Sequence, residues 1–311
     1  MTDLSIIIPA RNEVFLQRTI EDILENIELD TEIIAILDGY WPDPVVYDHP
    51  KLTIVHLTNP IGQRAAVNLG ARISQSKYIM KADAHCAFGK GFDRILIQDC
   101  KPDWTMIPKM WNLHAFDWQC LVCGYRNYQG TKPEKCIKCD EFNFKMVNVW
   151  KPRGNKVTVS WRFDKNMQFK YWKDHKKRPE AQGDLIETMS FIGACFMMER
   201  ERFWKLEGLD EAHGSWGQFG TELACKTWLS GGKLITSKKT WFAHMFRTGN
   251  FRGFGWHGSS FPYPLANREQ AHSKQYSRDL WLNDKWPGAI HPLSWLIDKF
   301  KPVPDWHEEK K

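Results

Sequence analysis

The sequence predicts an α/β protein built on an open, doubly wound, Rossmann-like mixed sheet, and three observations support this prediction. The chain begins with a β-branched run from Leu4 to Pro9, which is typical of a strand buried on both faces of a parallel sheet. Strand-like and helix-like segments then alternate as far as an apolar stretch at Tyr78 to Met80, the order expected of an α/β fold. Polar residues follow these strands at their carboxyl ends, where such sheets bind ligands.

The predicted elements of this half follow one another with short connections. Apolar residues recur at helical intervals from Phe15 to Ile27, so a helix is expected after the first strand. A second strand from Glu32 to Leu37 ends in Asp-Gly, and a third runs from Leu52 to Leu57. A helix from Ala65 to Ile73 follows. This order gives three βα alternations and places the loop after each strand at one edge of the sheet.

The strand at Tyr78 to Met80 runs directly into Asp83-Ala84-His85. Alternate residues of an extended backbone point the same way, so Asp83 and His85 can offer a carboxylate oxygen and an imidazole nitrogen to one divalent cation. A cation at this edge would neutralise the diphosphate of a nucleotide sugar. An isolated Asp-x-His is more often a turn cap beside an ordinary histidine, so the context decides between the two interpretations.

Composition narrows the class of protein. The 311 residues are 42% hydrophobic and 26% charged, as in globular proteins, and no apolar run approaches the roughly 20 residues of a membrane span. We therefore expect a cytoplasmic enzyme without a membrane partner. The net charge of +6 permits an acidic partner, and sixteen tryptophans suit a carbohydrate or nucleic-acid acceptor as well as a large core.

Several stretches resemble the family 2 type of nucleotide-sugar glycosyltransferases with the GT-A fold. They are IIIPARNE, NPIGQRAAVNLGARISQSKYIMKADAH and SFIGACFMMERERFW. The DAHC sequence is closer still to the polypeptide N-acetylgalactosaminyltransferases, which carry Asp-x-His where most relatives carry Asp-x-Asp. The resemblance implies that Asp83 and His85 hold manganese or magnesium. It also implies nucleotide contacts from Ala10, Arg11, Glu13, Asp38 and Arg64. Many relatives have two acidic residues at the position of Leu37-Asp38-Gly39.

The second half resembles the acceptor half of the same transferases. Trp216-Gly217 matches the family's tryptophan-glycine loop, and Glu222 matches its second glutamate, whereas Phe219 stands at the position of the first. Glu222 is therefore the candidate that orients or deprotonates the acceptor hydroxyl, with a helix-capping role as the alternative. Asp83 is the other candidate catalytic carboxylate. The resemblance makes His244 a third metal ligand and Arg247 a phosphate contact, and the glycine-rich residues 250–257 have the composition of a lid.

Four cysteines form an insertion that this resemblance does not cover. Two C-x2-C pairs separated by twelve residues are the ligand spacing of a four-thiolate zinc ribbon. The predicted zinc ligands are Cys120, Cys123, Cys136 and Cys139. Such a zinc is structural in the simplest interpretation. The alternative is that nearby basic and aromatic side chains grip nucleic acid, namely Arg126, Lys132, Lys135, Lys138, Tyr125 and Tyr128.

We expect a nucleotide-sugar-binding half at 1–110, a zinc ribbon at 111–147, an acceptor half at 148–260 and a C-terminal extension at 261–311. The expected activity is metal-dependent transfer of a sugar from a nucleotide sugar, UDP by resemblance, to a hydroxyl. A hydroxymethylated pyrimidine in DNA is one candidate acceptor, and a glycan or protein is another. A different class of protein also fits: a nucleic-acid-binding zinc-ribbon protein with an inactive transferase domain.

Overall fold

A large mixed sheet organises the protein. The computed structural model describes residues 2–246 and 267–306. Within them, eleven strands join one sheet, and two more, β9 and β10, pair separately. The strands are β1 (Leu4–Ala10), β2 (Thr31–Asp38), β3 (Leu52–Leu57), β4 (Tyr78–Ala82), β5 (Cys86–Phe88), β6 (Trp104–Cys120), β7 (Arg126–Tyr128), β8 (Phe144–Thr158), β9 (Trp161–Phe163), β10 (Phe169–Tyr171), β11 (Leu185–Glu187), β12 (Cys195–Glu199) and β13 (Lys233–His244).

Seven α-helices are present in the described part of the chain, together with three short 3-10 turns. The helices are α1 (Leu16–Asn26), α2 (Gln63–Ile73), α3 (Phe92–Asp99), α4 (Arg200–Lys205), α5 (Phe219–Leu229), α6 (Asn267–Leu282) and α7 (Leu293–Lys299). The 3-10 turns are Lys173–Lys177, Pro179–Ala181 and Glu211–His213. None of the helices in the described ranges is both long and apolar enough to cross a bilayer.

The strand order confirms the predicted doubly wound mixed sheet. The main path runs β11-β13-β6-β12-β4-β1-β2-β3, with β4, β1, β2 and β3 parallel to one another. Strand β12 is antiparallel to β4 and to β6, while β13 is parallel to β6. Because β1 lies between β4 and β2, the carboxyl ends of the central strands meet at one edge of the sheet.

The core explains why the β-branched runs are strands. Ile6, Ile7 and Ile8 of β1 are fully buried, which requires cover on both faces of the sheet. Helix α1 turns Leu16, Ile20 and Ile23 onto it, the spacing expected of an apolar helix face. Each such side chain contributes about 1.5–3 kcal/mol of transfer free energy when it is buried. The central strands are therefore a rigid base for any side chain at their ends.

Two features of the fold differ from the predicted order of elements. No helix connects β2 to β3 in the described structure, so only the first and third of the expected βα alternations contain one. Strand β6 continues past the expected boundary at residue 110 as far as Cys120. The predicted boundaries at residues 110 and 147 fall inside β6 and β8, so the cysteine insertion continues the main sheet.

Strand β6 forms the backbone of this extension of the sheet. Its second half pairs antiparallel with β8, from Trp111 opposite Val157 to Cys120 opposite Phe144, and with β7. We call residues 111–157 the ribbon arm. At its base, Phe116 packs with Phe15 and Ala243 in a second small core. The arm is therefore anchored beside the end of β13.

Candidate active site

Three potential metal ligands meet at the carboxyl ends of β4 and β13. Asp83 and His85 follow β4, and β13 pairs antiparallel with β5 so that His244 lies opposite Cys86. His244 Nε2 is 3.1 Å from Asp83 Oδ2 and 3.2 Å from His85 Nε2. One ligand atom from each residue lies within 4.8 Å of the others. The register of one strand pair thus joins residues about 160 positions apart in sequence.

These distances fit one divalent cation. An octahedral ion with ligands at about 2.1 Å needs adjacent ligand atoms about 3 Å apart, close to the two separations found. Two imidazoles and one carboxylate suit manganese or a similar ion, and they leave coordination positions for diphosphate oxygens and water. The residues present therefore match the metal that the resemblance implies.

Side chains behind the ligands hold them in place. Glu13 Oε2 lies 3.2 Å from His85 Nδ1, the arrangement by which a carboxylate fixes the ring of a metal-ligating histidine. Burial alone would lower the pKa of His85, but the Glu13 carboxylate raises it. Burial lowers the pKa of His244, and its Nδ1 has no hydrogen-bond partner among the described residues. His85 is thus oriented from behind by Glu13.

The two oxygens of Asp83 have different partners. Oδ2 faces His244, whereas Oδ1 accepts hydrogen bonds from the Lys81 ammonium and, at 3.2 Å, from Gln63 Nε2. Burial would raise the pKa of Asp83, but Lys81 and the histidines hold it well below its usual range. Asp83 is therefore ionised, with Oδ2 turned to the histidines.

The predicted nucleotide contacts are placed at this edge, although their side chains have other partners. Ala10 ends β1, and the partly exposed Arg11 guanidinium lies 5.6 Å from the centre of the Tyr40 ring. Asp38 is only 3% exposed and accepts hydrogen bonds from the Ile61 and Gly62 amides at 2.6 and 3.0 Å. Its carboxylate organises the loop before α2. The Glu13 carboxylate contacts the His85 ring, as described above, and does not form an open wall of a nucleotide pocket.

Glu222 and Arg64, both predicted site residues, form a buried ion pair with each other. Arg64 Nε donates to Glu222 Oε2 at 2.7 Å, and the two side chains are 2% and 0% exposed. The other Arg64 nitrogens donate to the Gly214 and Gly217 carbonyls, which holds the tryptophan-glycine loop. The second Glu222 oxygen accepts from the Asp210 amide and lies 3.3 Å from Lys226.

The surroundings of Glu222 also disfavour a role as a base. Burial would raise its pKa, but Arg64 and Lys226 lower it below its usual value, and a general base works best with a pKa near the working pH. Both oxygens of the buried Glu222 carboxylate already have partners within the protein. The guanidinium of Arg64, the ion-pair partner of Glu222, has no face open to a diphosphate. Arg247 and the proposed lid at 250–257 lie outside the described residues.

Comparison with known proteins identifies the part of the chain that carries Asp83 and His85. Residues 5–108 match the model of glycosyl transferase family 2. These residues form a glycosyl transferase family 2 domain. The suspected family is thereby confirmed for the first third of the chain, and β1 to β4, α1 and α2 lie inside this domain.

Relatives extend the similarity beyond the family 2 domain. Human polypeptide N-acetylgalactosaminyltransferase 10 is 25% identical over 258 residues, covering 78% of this chain and 38% of the relative. Human polypeptide N-acetylgalactosaminyltransferase 3 is 22% identical over 293 residues, covering 90% and 41%. The chain therefore spans less than half the length of either relative.

A solved structure supports the fold. The crystal structure of GalNAc-T7 with UDP, GalNAc and Mn2+ superposes with a TM-score of 0.60 at 17% identity, covering 90% of this chain and 48% of that one. This similarity confirms the predicted GT-A type of fold, including the strands after the family 2 domain that bring His244 to the centre.

The four cysteines of the ribbon arm form a second candidate metal site outside the family 2 domain. Sγ of Cys120 is 3.6 Å from that of Cys139, and Sγ of Cys123 is 3.5 Å from that of Cys136. Tetrahedral zinc with bonds of about 2.3 Å needs sulfurs nearly 3.8 Å apart, and a disulfide about 2.05 Å. All four thiols are free. The Cys123 amide lowers the pKa of Cys120 to about 7, which favours a thiolate ligand.

Two contacts of Asp83 were missed from the sequence. Lys81 is 1% exposed in the otherwise apolar β4, and Gln63 begins α2. Lys81 had a readable signal, because it lies two residues before Asp83 and four before His85, so all three face the same side. Gln63 had none, since its contact depends on how α2 packs.

Proposed function

We propose that this protein is a metal-dependent glycosyltransferase that moves a sugar from a UDP sugar to an acceptor hydroxyl. The observation that carries the proposal is the convergence of Asp83 Oδ2 and His85 Nε2, which lie within the family 2 domain, with His244 Nε2 at the end of β13. The UDP donor and manganese are supported by the GalNAc-T7 structure, which contains both.

The reaction breaks the bond from the sugar's anomeric carbon to the diphosphate and joins that carbon to the acceptor oxygen, whose proton is lost. A cation held by Asp83, His85 and His244 would stabilise the negative charge of the departing diphosphate. Glu13 keeps His85 oriented. Arg11 is the partly exposed cation near the nucleotide end of the site.

We also propose a structural zinc ion at Cys120, Cys123, Cys136 and Cys139. The sulfur separations support it, as does the small size of the local core, in which the described buried residues are Cys120, Cys136 and Phe144. Residues this sparsely packed need a cross-link or metal to stay folded.

An extended acceptor is supported by the position of the ribbon. His244 of β13 pairs with Asn112 of β6. Cys120 lies eight residues farther along β6 than Asn112, a distance of roughly 26 Å in an extended strand. A hydroxyl at the metal centre and a contact at the ribbon must then belong to one long molecule.

DNA with a hydroxymethylated pyrimidine is our candidate for this acceptor. The ribbon arm contains eight lysines and arginines against four acidic residues. Arg153 stacks on Tyr128 with 4.5 Å between guanidinium and ring centre, and Lys138 lies 5.8 Å from that of Tyr125. Basic and aromatic groups of this kind bind phosphates and bases. A base within a duplex would have to be flipped out to reach the donor.

A polypeptide hydroxyl is the second candidate. It is favoured by the names of the two human relatives, which are polypeptide N-acetylgalactosaminyltransferases. Both acceptors use the same metal centre, so they differ only in what the arm and the acceptor half recognise.

Turnover tests the activity. We expect UDP release from one of a panel of UDP sugars with Mn2+, loss of that release with a chelator, and its loss in Asp83→Ala. The control is Asp174→Ala, an exposed aspartate remote in sequence from the centre. Absence of release with every nucleotide sugar, combined with nucleic-acid binding, would support the inactive zinc-ribbon binder instead.

A second assay distinguishes the acceptors. Sugar transfer is measured to duplex DNA with and without hydroxymethylated pyrimidine and to serine- and threonine-containing peptides. If DNA is the acceptor, its affinity must fall steeply with salt, and Lys138→Ala should reduce the salt slope by about one unit. Lys205→Ala on α4 is the control. Transfer to peptide alone, with salt-independent DNA binding, would exclude DNA.

A further inference from the structure

The buried lysine next to the metal centre is the feature that the proposed chemistry does not use. Lys81 lies in β4 between Ile7 of β1 and Phe196 of β12. Its ammonium contacts Asp83 Oδ1, the Gly193 carbonyl at 2.8 Å and the Ala194 carbonyl at 3.5 Å. Phe219 covers it, with its ring centre 5.1 Å away.

Such a lysine is held by its partners. A buried ammonium without a counter-ion costs far more than a neutral side chain, so it persists only when it is paired and hydrogen-bonded. Asp83 supplies the counter-charge, and the two carbonyls accept the remaining protons. The pair Lys81–Asp83 thus carries no net charge before any metal binds.

This neutrality has a consequence for metal binding. Among the three ligands, Asp83 alone is an anion, and Lys81 already balances its charge. A divalent cation entering between neutral imidazoles and this pair keeps most of its charge in a buried site, where charge is costly. The Glu13 carboxylate behind His85 also carries a negative charge. Its effect on metal binding is the same whether or not Lys81 is present. The further anion must come with the ligand, and a diphosphate brings it.

We propose that Lys81 is a positioning residue that reserves Asp83 Oδ2 for the metal and makes cation binding depend on the donor's diphosphate. The inference rests on the proposed function for its ligand, a nucleoside diphosphate. Lys81 and Gln63 together occupy Oδ1, so Asp83 binds the cation through one oxygen. Metal and nucleotide then enter as a coupled pair, and the site does not hold a cation tightly between turnovers.

The test is Mn2+ binding to the whole protein, measured by electron paramagnetic resonance with and without UDP. In the wild type, UDP should tighten Mn2+ binding by about tenfold or more, within the usual range for coupled sites. Lys81→Gln removes the charge but retains donor groups. It should bind Mn2+ alone on the order of tenfold more tightly, and UDP should add little. Lys81→Arg keeps the charge and should resemble the wild type.

A second lysine provides the control. Lys109 of β6 is also partly buried, and its ammonium donates to the Lys238 carbonyl, so Lys109→Gln should leave Mn2+ binding unchanged. Unaltered or weaker Mn2+ affinity in Lys81→Gln, with the UDP effect retained, would overturn the proposal. Equal Mn2+ affinity of the wild type with and without UDP would overturn it even if the variant did not fold. Turnover is assayed separately: coupling without turnover sinks only the transferase function, and turnover without coupling sinks only the role of Lys81.

Discussion

The two candidate metal sites lie on the same strand system but have opposite relations to the fold. Asp83, His85 and His244 follow or end strands of the main core, and their flanking residues Ala84, Cys86 and Ala243 are buried. The four cysteines of the ribbon arm surround a core of few residues. The protein core alone positions the ligands of the first site, whereas the proposed zinc ion would hold together the segment that forms the second.

From this difference we expect the first ion to control chemistry and the second to control local folding. Removing the cation from the first site should change chemistry and leave folding nearly unaffected. Removing it from the second should unfold a segment and leave the chemistry at the first site in place. Five substitutions, ordered by decreasing effect, test that separation.

Zinc removal should give the largest effect. Structural four-thiolate sites contribute on the order of 10 kcal/mol to local folding, so Cys120→Ser should lower zinc content from about one ion per chain to near none and expose residues 120–143 to trypsin. Elemental analysis and limited proteolysis measure this. Cys100→Ser, outside the ribbon, is the control. Full zinc content in Cys120→Ser would contradict the assignment.

His244→Ala should abolish most turnover without unfolding the protein. Loss of one of three ligands should reduce the rate by about a thousandfold, or about 4 kcal/mol of transition-state stabilisation, and should weaken nucleotide binding. UDP release and circular dichroism measure the two effects. His49→Ala, an exposed histidine, should behave as the wild type. Unchanged manganese dependence in His244→Ala would remove this residue from the centre.

Glu222→Gln tests the buried ion pair. Leaving Arg64 without its counter-ion should lower the free energy of unfolding by about 3–5 kcal/mol. Urea denaturation measures this, with Glu201→Gln as control because its pair with Lys205 is exposed and contributes little to stability. A variant with wild-type stability but turnover reduced by about a hundredfold or more would restore Glu222 as the base.

Glu13→Gln should weaken the first site moderately. Losing the carboxylate behind His85 should reduce Mn2+ affinity by about 10- to 100-fold, while zinc content stays the same. Titration of Mn2+ in the presence of UDP and elemental analysis for zinc measure the two. Glu25→Gln, an exposed residue of α1, serves as the matched control. Equal affinity in Glu13→Gln would mean that His85 is oriented without it.

Trp150→Phe should have the smallest effect, at the junction between the arm and the core. Trp150 Nε1 donates to Asp22 Oδ2 at 3.0 Å, and burial raises the pKa of Asp22 from 3.8 to about 6. An acid with a raised folded-state pKa loses stability as pH rises through that interval. Losing the hydrogen bond should cost about 1 kcal/mol, more at pH 7 than at pH 5.

Denaturation at the two pH values measures this dependence. Trp118→Phe is the control because Trp118 Nε1 donates to the uncharged Gly130 carbonyl. Its stability loss should be the same at both values. A pH-independent loss in Trp150→Phe would remove Asp22 from the junction.

Local sequence patterns specify the first strand and helix of this protein and part of each candidate metal site. The β-branched run at Leu4 to Pro9 and the helical spacing after Phe15 can be satisfied only by a buried strand and an amphipathic helix, and both formed within a residue or two of the prediction. Asp83 and His85 were readable for the same reason, because alternation along a strand is a local property. The cysteine spacing likewise encodes a tetrahedral site within one short segment.

Only the tertiary structure decided what the polar side chains contact. Arg64 and Glu222 are 158 residues apart and meet because α2 and α5 pack against the same loop. Asp38 turns to the backbone of Ile61 and Gly62. These choices depend on which buried polar groups need partners after the elements have packed, and no periodicity records that need. The partners of Lys81 were decided in the same way, because the Gly193 and Ala194 carbonyls lie more than a hundred residues away in sequence.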